Sequence, residues 1–276
     1  MNAIRLIAGK EIRDGLRNRW VVATTGLMAA LALTLAFLGS APTGTVGVGA
    51  LEVTVVSLSS LTIFLLPLIA LLLSYDAVVG EIDRGTMLLL LTYPVSRQQV
   101  VLGKFIGHTA ILGFATTLGY GAAGLALGLA SGELGGESSR AFAAMIGSSV
   151  LLGAAFTAMG YLISVCVRDR GTAAGLAIGV WLLFVLLFDM GLLGFLVADQ
   201  GRTLTPELVN RLLLANPADI YRLFNLTGFA KVSTFAGMAG LAEQVRLSPA
   251  LLLAALLAWV VVPLTAATLL FARKQL

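Results

Sequence analysis

The sequence predicts an all-α integral membrane protein, and three observations predict it. Of its 276 residues 58% are apolar and only 12% are charged, where soluble domains carry about 25% charged residues. The mean hydropathy is +0.97. The apolar runs exceed about 18 residues and show none of the period-two alternation of a barrel strand. Backbone polar groups in a bilayer need partners within the chain, so only helices or closed barrels span it. Continuous apolar runs select helices. Six transmembrane helices are expected, at about Trp20–Leu38, Val53–Tyr75, Phe105–Ala130, Ala141–Val167, Thr172–Ala198 and Ala250–Ala272. Residues 1–19 form a separate amphipathic unit and residues 20–276 the membrane domain.

The N-terminal arm reads as a helix lying on the inner membrane surface. Ile4, Ile7, Ala8, Ile12, Leu16 and Trp20 recur at helical spacing, and Arg5, Lys10, Arg13, Asp14 and Arg17 take the other face. Arg13, Arg17, Arg19 and Trp20 mark it as an elbow before the first span. That span is long, follows a charged arm and ends in Gly39–Ser40–Ala41–Pro42, a poor cleavage site, so it is no signal peptide. Orientation follows the basic residues. With both termini inside, Arg5, Lys10, Arg13, Arg17, Arg19, Arg84, Arg97, Lys104, Arg168, Arg170, Arg273 and Lys274 all fall on the inner side. The basic balance, pI ≈ 9.5, reflects this topology and contact with anionic membrane lipid. Nucleic acid is not an expected partner, because no basic patch is interleaved with exposed aromatics.

Between the second and third spans lies a charged, turn-marked loop, residues 76–104. Glu81, Asp83, Arg84 and Gly85 precede a short apolar helix, Thr86–Leu91, which Pro94 ends by lacking an amide and restricting Tyr93. Ser96 caps a second helix starting at Arg97. Short outer loops follow at residues 39–52 and 131–140, and a tight inner turn at Arg168–Gly171. Residues 199–248 are too polar to span. Thr205–Pro206–Glu207 and Asn216–Pro217–Ala218–Asp219 each have the N-cap, proline and first-turn acid of a helix start. The second such helix is expected to present Ile220, Tyr221, Leu223 and Phe224 to the membrane or an external protein. Two glycine stripes, Gly124–Gly128–Gly132 and Gly171–Gly175–Gly179, let helix backbones approach closely in lipid, and packing within one copy is the first expectation for each.

Several chemistries find no support. No G-x-x-x-x-G-K-[ST] occurs, so energy must come from another chain. No H-E-x-x-H, C-x-x-C or Cys/His cluster occurs. His108 is the one histidine, and Ser148–Ser149 are expected nearer the opposite membrane face. Cu(I) prefers thiolate and thioether ligands, but Met159 and Cys166 are about 10 Å apart along a helix. No metal or cofactor is therefore expected on this chain. Asp189 stands in an apolar run and either faces a cavity or a partner or sits near the outer interface. His108 is read as a structural hydrogen-bonding group.

The order Glu81, Gly85–Thr86, Leu88–Leu91, Pro94, Ser96–Arg97, Gly103–Lys104 resembles the membrane subunits of the ABC-2 (type V) exporter family. Six spans, the basic elbow and Asn216–Pro217 extend the resemblance over most of the chain. More narrowly, residues 14–20, the block Ser74–Lys104 and Gly107–His108 resemble the permease family of the nitrous oxide reductase maturation transporter. The resemblance implies two copies of the chain in a bacterial inner membrane, each bound to a cytosolic ATPase subunit that holds ATP and magnesium. It implies that the 76–104 loop is the coupling helix, with Glu81, Asp83, Arg84, Gly85, Thr86, Leu89, Pro94, Ser96, Arg97 and Lys104 as coupling residues. It also implies a periplasmic β-helix subunit and a role in assembling copper clusters. Read from the residues alone, a secondary transporter or a scaffold without transport stays open, although the inverted repeats and intramembrane charges of the former are not evident.

Overall fold

The computed structural model describes residues 3–17, 19–38, 50–131, 136–199, 206–227 and 247–275. Residues 39–49, 132–135 with Gly132, and 228–246 lie outside the described residues. All regular structure among the described residues is helical: α1 Ala3–Arg17, α2 Arg19–Leu38, α3 Ala50–Ser74, α4 Val79–Asp83, α5 Thr86–Leu91, α6 Arg97–Ser131, α7 Gly136–Cys166, α8 Arg170–Leu182, a π-helical turn Leu183–Leu187, α9 Phe188–Asp199, α10 Pro206–Leu213, α11 Pro217–Thr227 and α12 Pro249–Arg273. Arg19 and Trp20 open α2 rather than close the elbow, and their side chains lie outside the described set.

Among the described residues five segments are long and apolar enough to cross a membrane: Val53–Asp83, Arg97–Ala130, Ser139–Cys166, Arg170–Asp199 and Pro249–Arg273. The chain is a multi-pass membrane protein. The first expected span falls on α2, whose described apolar stretch, Thr25–Leu35, is shorter.

Helix α7 is the centre of the bundle. It packs between α3 and α12, with α6 alongside, and α1 and α2 lie on α6. Small residues set these distances. A Cβ at Gly153 would come 2.4 Å from Leu112, and one at Gly160 2.0 Å from the Ser74 hydroxyl. Two apolar cores result. One, around Leu58, Leu66, Tyr120, Met145 and Phe156, fills the half of the bundle nearer α11. The other gathers Ile7 of α1, Val78, Met87 of α5, Val100, Phe105, Tyr161 and Phe271 at the opposite end, here termed the hairpin end.

The elbow is seated in a groove that the sequence did not advertise as one. Gly103 and Gly107, one turn apart on α6, admit the α1 backbone. A Cβ at Gly103 would lie 2.8 Å from Ile7 Cβ, and one at Gly107 2.6 Å from Glu11 Cβ. Gly15 returns the favour by admitting Ile111. Thus α1 does not simply lie on a lipid surface; it is packed onto α6, burying Ile7 and Ala8.

Two expectations need correction. The face Ile220, Tyr221, Leu223 and Phe224 is not offered outward but is buried within the protomer. Helix α11 is inserted among α3, α7 and α12. Its tyrosine hydroxyl meets Ser149 at 2.9 Å, and Asn225 donates to Ser148 at 2.9 Å, so polar groups on α7 draw it in. Helix α10 is the exposed part of this segment, with Glu207, Leu208 and Arg211 outward. The second correction concerns the glycines: Gly124 admits the Phe142 ring, as packing within one copy requires, but a Cβ at Gly175 or Gly179 meets nothing within 4 Å.

The groove makes a direct prediction. Gly107→Val overpacks the α1–α6 contact and is expected to cost about 1–3 kcal/mol, whereas Gly9→Ala, where a Cβ meets open space, is expected to be neutral or stabilising. Thermal midpoints of the two variants in detergent check this; equal midpoints would refute close backbone packing at Gly107.

Candidate functional site: the hairpin end

The loop after α3 is a rigid hairpin whose parts are fixed individually. Ser164 of α7 accepts from the Val78 and Val79 amides at 3.0 and 3.1 Å, satisfying two orphan donors at the start of α4. Arg170 donates to Asp76 at 2.8 Å. Gly85 then takes φ +72°, a left-handed conformation that favours glycine, and turns α4 into α5. Thr86 donates back to the Glu81 carbonyl at 3.2 Å. At the other side Ser96 and Gln99 form a reciprocal capping box: the Ser96 amide donates to Gln99 Oε1 (2.9 Å) and the Gln99 amide to Ser96 Oγ (3.2 Å). The expected helices Thr86–Leu91 and Arg97 onward both form with those starts.

The ten residues singled out from sequence divide into two sets. Asp83, Arg84, Thr86, Leu89, Pro94 and Ser96 are exposed, and Gly85 shapes the turn between them. With them Leu88 (58% exposed), Leu89 (66%) and Tyr93 (67%) form an apolar tip, while Met87 is buried beneath it in the core that joins α1, α6, α7 and α12. Glu81, Arg97 and Lys104 face inward. Arg97 stacks over the Phe271 ring and donates to the carbonyls of Phe271 (3.4 Å) and Lys274. Lys274 in turn donates to the Val165 and Val167 carbonyls, closing the C-terminal end of α7. Arg97 is thereby a clamp on the end of α12 rather than a surface contact.

Lys104, whose side chain is only 5% exposed, is shared between two carboxylates on different elements. Its Nζ lies 2.8 Å from Glu11 Oε1 on the elbow and 2.7 Å from Glu81 Oε1 on the hairpin. One turn on, His108 Nε2 sits 3.5 Å from Glu11 Oε2, and its Nδ1 lies 2.9 Å from the Tyr161 hydroxyl. A proton on Nε2 faces Glu11, and Nδ1 is left to pair with the Tyr161 hydroxyl. The repeated pair Gly103–Lys104 and Gly107–His108 is now explained: each glycine admits the α1 backbone, and each following side chain reaches Glu11. Burial pushes the Glu11 carboxyl up, but the His108 hydrogen bond and the Lys104 ammonium outweigh it and hold Glu11 well below the usual carboxylate range. Sequence reasoning missed Glu11 and Tyr161. Only the 3–4 spacing that puts Glu11 beside Ile7 and Ala8 on the helix could have pointed to the first.

His108 meets Tyr161 and Glu11, while Ser148 and Ser149 bond Asn225 and Tyr221. Among the described residues no group of His, Cys, Asp and Glu is arranged to hold a metal ion, and Cys166 is exposed. Asp189 lies elsewhere, 2.7 Å from Arg222 of α11.

Removing Lys104 leaves two buried carboxylates facing each other. Lys104→Met is expected to cost about 3–5 kcal/mol, the range for breaking a buried pair. The Glu11 contribution has a sign in pH: the folded value lies below the ordinary 4.5, so its stabilisation is full above about pH 4.5 and is lost as the pH falls below it. Thermal midpoints of the parent and Glu11→Gln should therefore differ at pH 7 and converge toward pH 3. A difference that is constant over that range would contradict the buried ion pair.

Comparison with known proteins adds two findings. Residues 5–276 match the family model described as ABC-2 family transporter protein. The chain is 48% identical over 275 residues, 99% of each chain, to a protein of Stutzerimonas stutzeri named probable ABC transporter permease protein NosY. It is 47% identical over 277 residues, covering all of both chains, to the protein of the same name from Pseudomonas aeruginosa.

Proposed function

From the premise that this chain belongs to the ABC-2 transporter family and is a membrane permease, a transport rather than a catalytic subunit, we propose that it is a passive lever worked by a separate cytosolic ATPase. The observation that carries this is the hairpin tip. Leu88, Leu89 and Tyr93 stand exposed beside Asp83 and Arg84, at the end of helices that are otherwise buried in one another or clothed by lipid. A contiguous exposed apolar patch rimmed by charge is a protein-docking feature. The chain has no phosphate-binding loop of its own, so ATP and magnesium belong to the partner.

In this reading the hairpin end is cytoplasmic. It gathers exposed Arg5, Lys10, Arg13, Arg17, Arg168, Arg170 and Arg273, as the positive-inside rule requires of an inner-membrane protein with both termini inside. Helix α2 is the first of six spans. A push on the tip passes through Met87 into the hairpin-end core and through Glu81 and Lys104 into the elbow and α6. A second copy meets the first along α8. There Gly175 and Gly179 face open space, and almost none of the span is buried within the protomer.

Kinship with permeases named NosY supports the narrower proposal that the complex serves copper-site assembly of nitrous oxide reductase. The chain then transmits motion to a periplasmic β-helix subunit, which meets the exposed face of α10 rather than the buried face of α11. Metal transfer occurs on that outer side.

Two outcomes separate docking from transmission. Leu89→Asp with Tyr93→Asp is expected to reduce co-purification of the ATPase at least about tenfold, equivalent to 1.4 kcal/mol. Glu81→Gln is expected to leave co-purification intact while uncoupling ATP hydrolysis from enzyme maturation. Full binding by the tip variant would refute the docking site. For the second copy, Gly175→Cys in a Cys166→Ser background is expected to form a disulfide-linked dimer in membranes. A chain that stays monomeric under oxidation would move the seam elsewhere.

A further inference from the structure

The long apolar segment Arg170–Asp199 is the loosest member of the bundle, and it is not a continuous α-helix. Its α8 and α9 halves are joined by the π-helical turn Leu183–Leu187. Such turns interrupt the i→i−4 ladder, kink helices and recur at functional sites. Here the Phe184 carbonyl accepts from Asn216 Nδ2 of the α11 cap, at 2.8 Å. The α8 half is held at several points. Asp169 caps it, Arg170 reaches Asp76, and Trp181 Nε1 donates to the Phe64 carbonyl at 2.9 Å. The Phe184 ring lies edge-on to Phe156 and Trp259. Beyond the π-turn the packing falls away. Met190, Leu193, Phe195 and Val197 of α9 are exposed, and a Cβ at Gly191 or Gly194 meets nothing within 4 Å.

One polar junction crosses from this loose half to the packed α11. Arg222 Nη2 donates to Asp189 Oδ2 and its Nη1 to Asp219 Oδ1, both at 2.7 Å. Asp219 is buried, and its second oxygen accepts from Asn216 Nδ2 at 2.9 Å. One cap residue, Asn216, therefore holds both the hinge carbonyl and the inner carboxylate of the junction.

We propose that Arg222, divided between Asp189 and Asp219, is a latch that holds α9 against α11, and that the π-turn Leu183–Leu187 is the hinge on which α9 swings when the latch opens. This assignment stands apart from the ATPase reading and needs no partner. The junction carries two carboxylates for one guanidinium. No other charged side chain packs against it from the described parts of α3, α7 or α12; Glu207 and Arg211 on α10 are exposed. Burial, reinforced by Asp189 and opposed by Arg222, raises the Asp219 carboxyl to about 7. The sign follows. A carboxyl raised in the folded protein stabilises the protonated form, so the penalty appears as the pH rises above the ordinary 3.8 and is complete above about 7. With Asp219 neutral, Arg222 serves Asp189 alone and the latch is tight. With Asp219 ionised, the two carboxylates repel and compete for Arg222, and the latch loosens.

The test uses the full chain in lipid nanodiscs, in a Cys166→Ser background with spin labels at Leu193→Cys on α9 and Leu257→Cys on α12. Pulsed electron resonance is expected to show one short, narrow distance population at pH 5.5 and a second, longer one at pH 8.5. Arg222→Gln should show the longer population at both pH values, and Asp219→Asn the short one at both. Arg222→Lys, which keeps the charge, should retain the pH response, and so separates loss of the latch from loss of the fold. A parent distribution that does not change with pH, or an Arg222→Gln distribution equal to the parent's, would overturn the latch.

Discussion

Everything at the hairpin end depends on one buried ammonium with two claims on it. Lys104 is shared between Glu11 and Glu81, and its own side chain is almost fully buried. Taking Lys104 away leaves two carboxylates without their shared cation, which costs several kcal/mol where the surroundings are apolar, whereas taking one carboxylate away leaves Lys104 paired with the other. The pairing is possible only because Gly103 and Gly107 let the α1 backbone approach α6. Close packing and ion pairing are thus one device. The glycines bring the elbow within reach, and the charges fix its register. The consequence for function is mechanical. The elbow is no passive anchor, since displacing the hairpin either carries α1 along or breaks the shared ion pair.

The far end is built on the opposite plan. There α11 is drawn into the bundle by short polar side chains, Ser148, Ser149, Tyr221 and Asn225, that satisfy one another. Buried polar networks of this kind specify geometry as long as every member is paired. Against that fixed wall lies a helix half that packs on almost nothing and is tied by Arg222. Under the proposed function, a stiff lever at one end and a loosely held helix at the other give the chain somewhere to take up motion.

Much of this was legible in the sequence, for identifiable reasons. Apolar runs gave the long helices because a bilayer leaves the backbone no other choice. Turn chemistry at Gly85, Pro94 and Ser96, and the caps at Asn216–Pro217, placed the short helices at the residues where they form. What composition and spacing could not show was which way a side chain turns. Glu81 and Arg97 look like surface charges in a polar loop, yet Glu81 turns in to the buried Lys104 and Arg97 reaches Phe271, far away in the chain. The apolar face of α11 reads as an outward platform, because periodicity reveals that a face is apolar and not what covers it. The Gly103–Gly107 pair was visible, but as part of a resemblance. Its meaning needed Glu11, nearly a hundred positions earlier, and nothing local links the two.

The central claim is that elbow and hairpin move as one body under an ATPase. The direct measurement is made in the complete permease–ATPase complex, in a Cys166→Ser background, with one label on α1 at Arg13→Cys and one on α5 at Thr86→Cys. Their separation is compared with the distance from each to a reference at Leu129→Cys near the far end of α6. On adding ATP, the account predicts that the α1–α5 distance stays constant while both distances to the reference change together. A hairpin that moves while the elbow stays in place would contradict it.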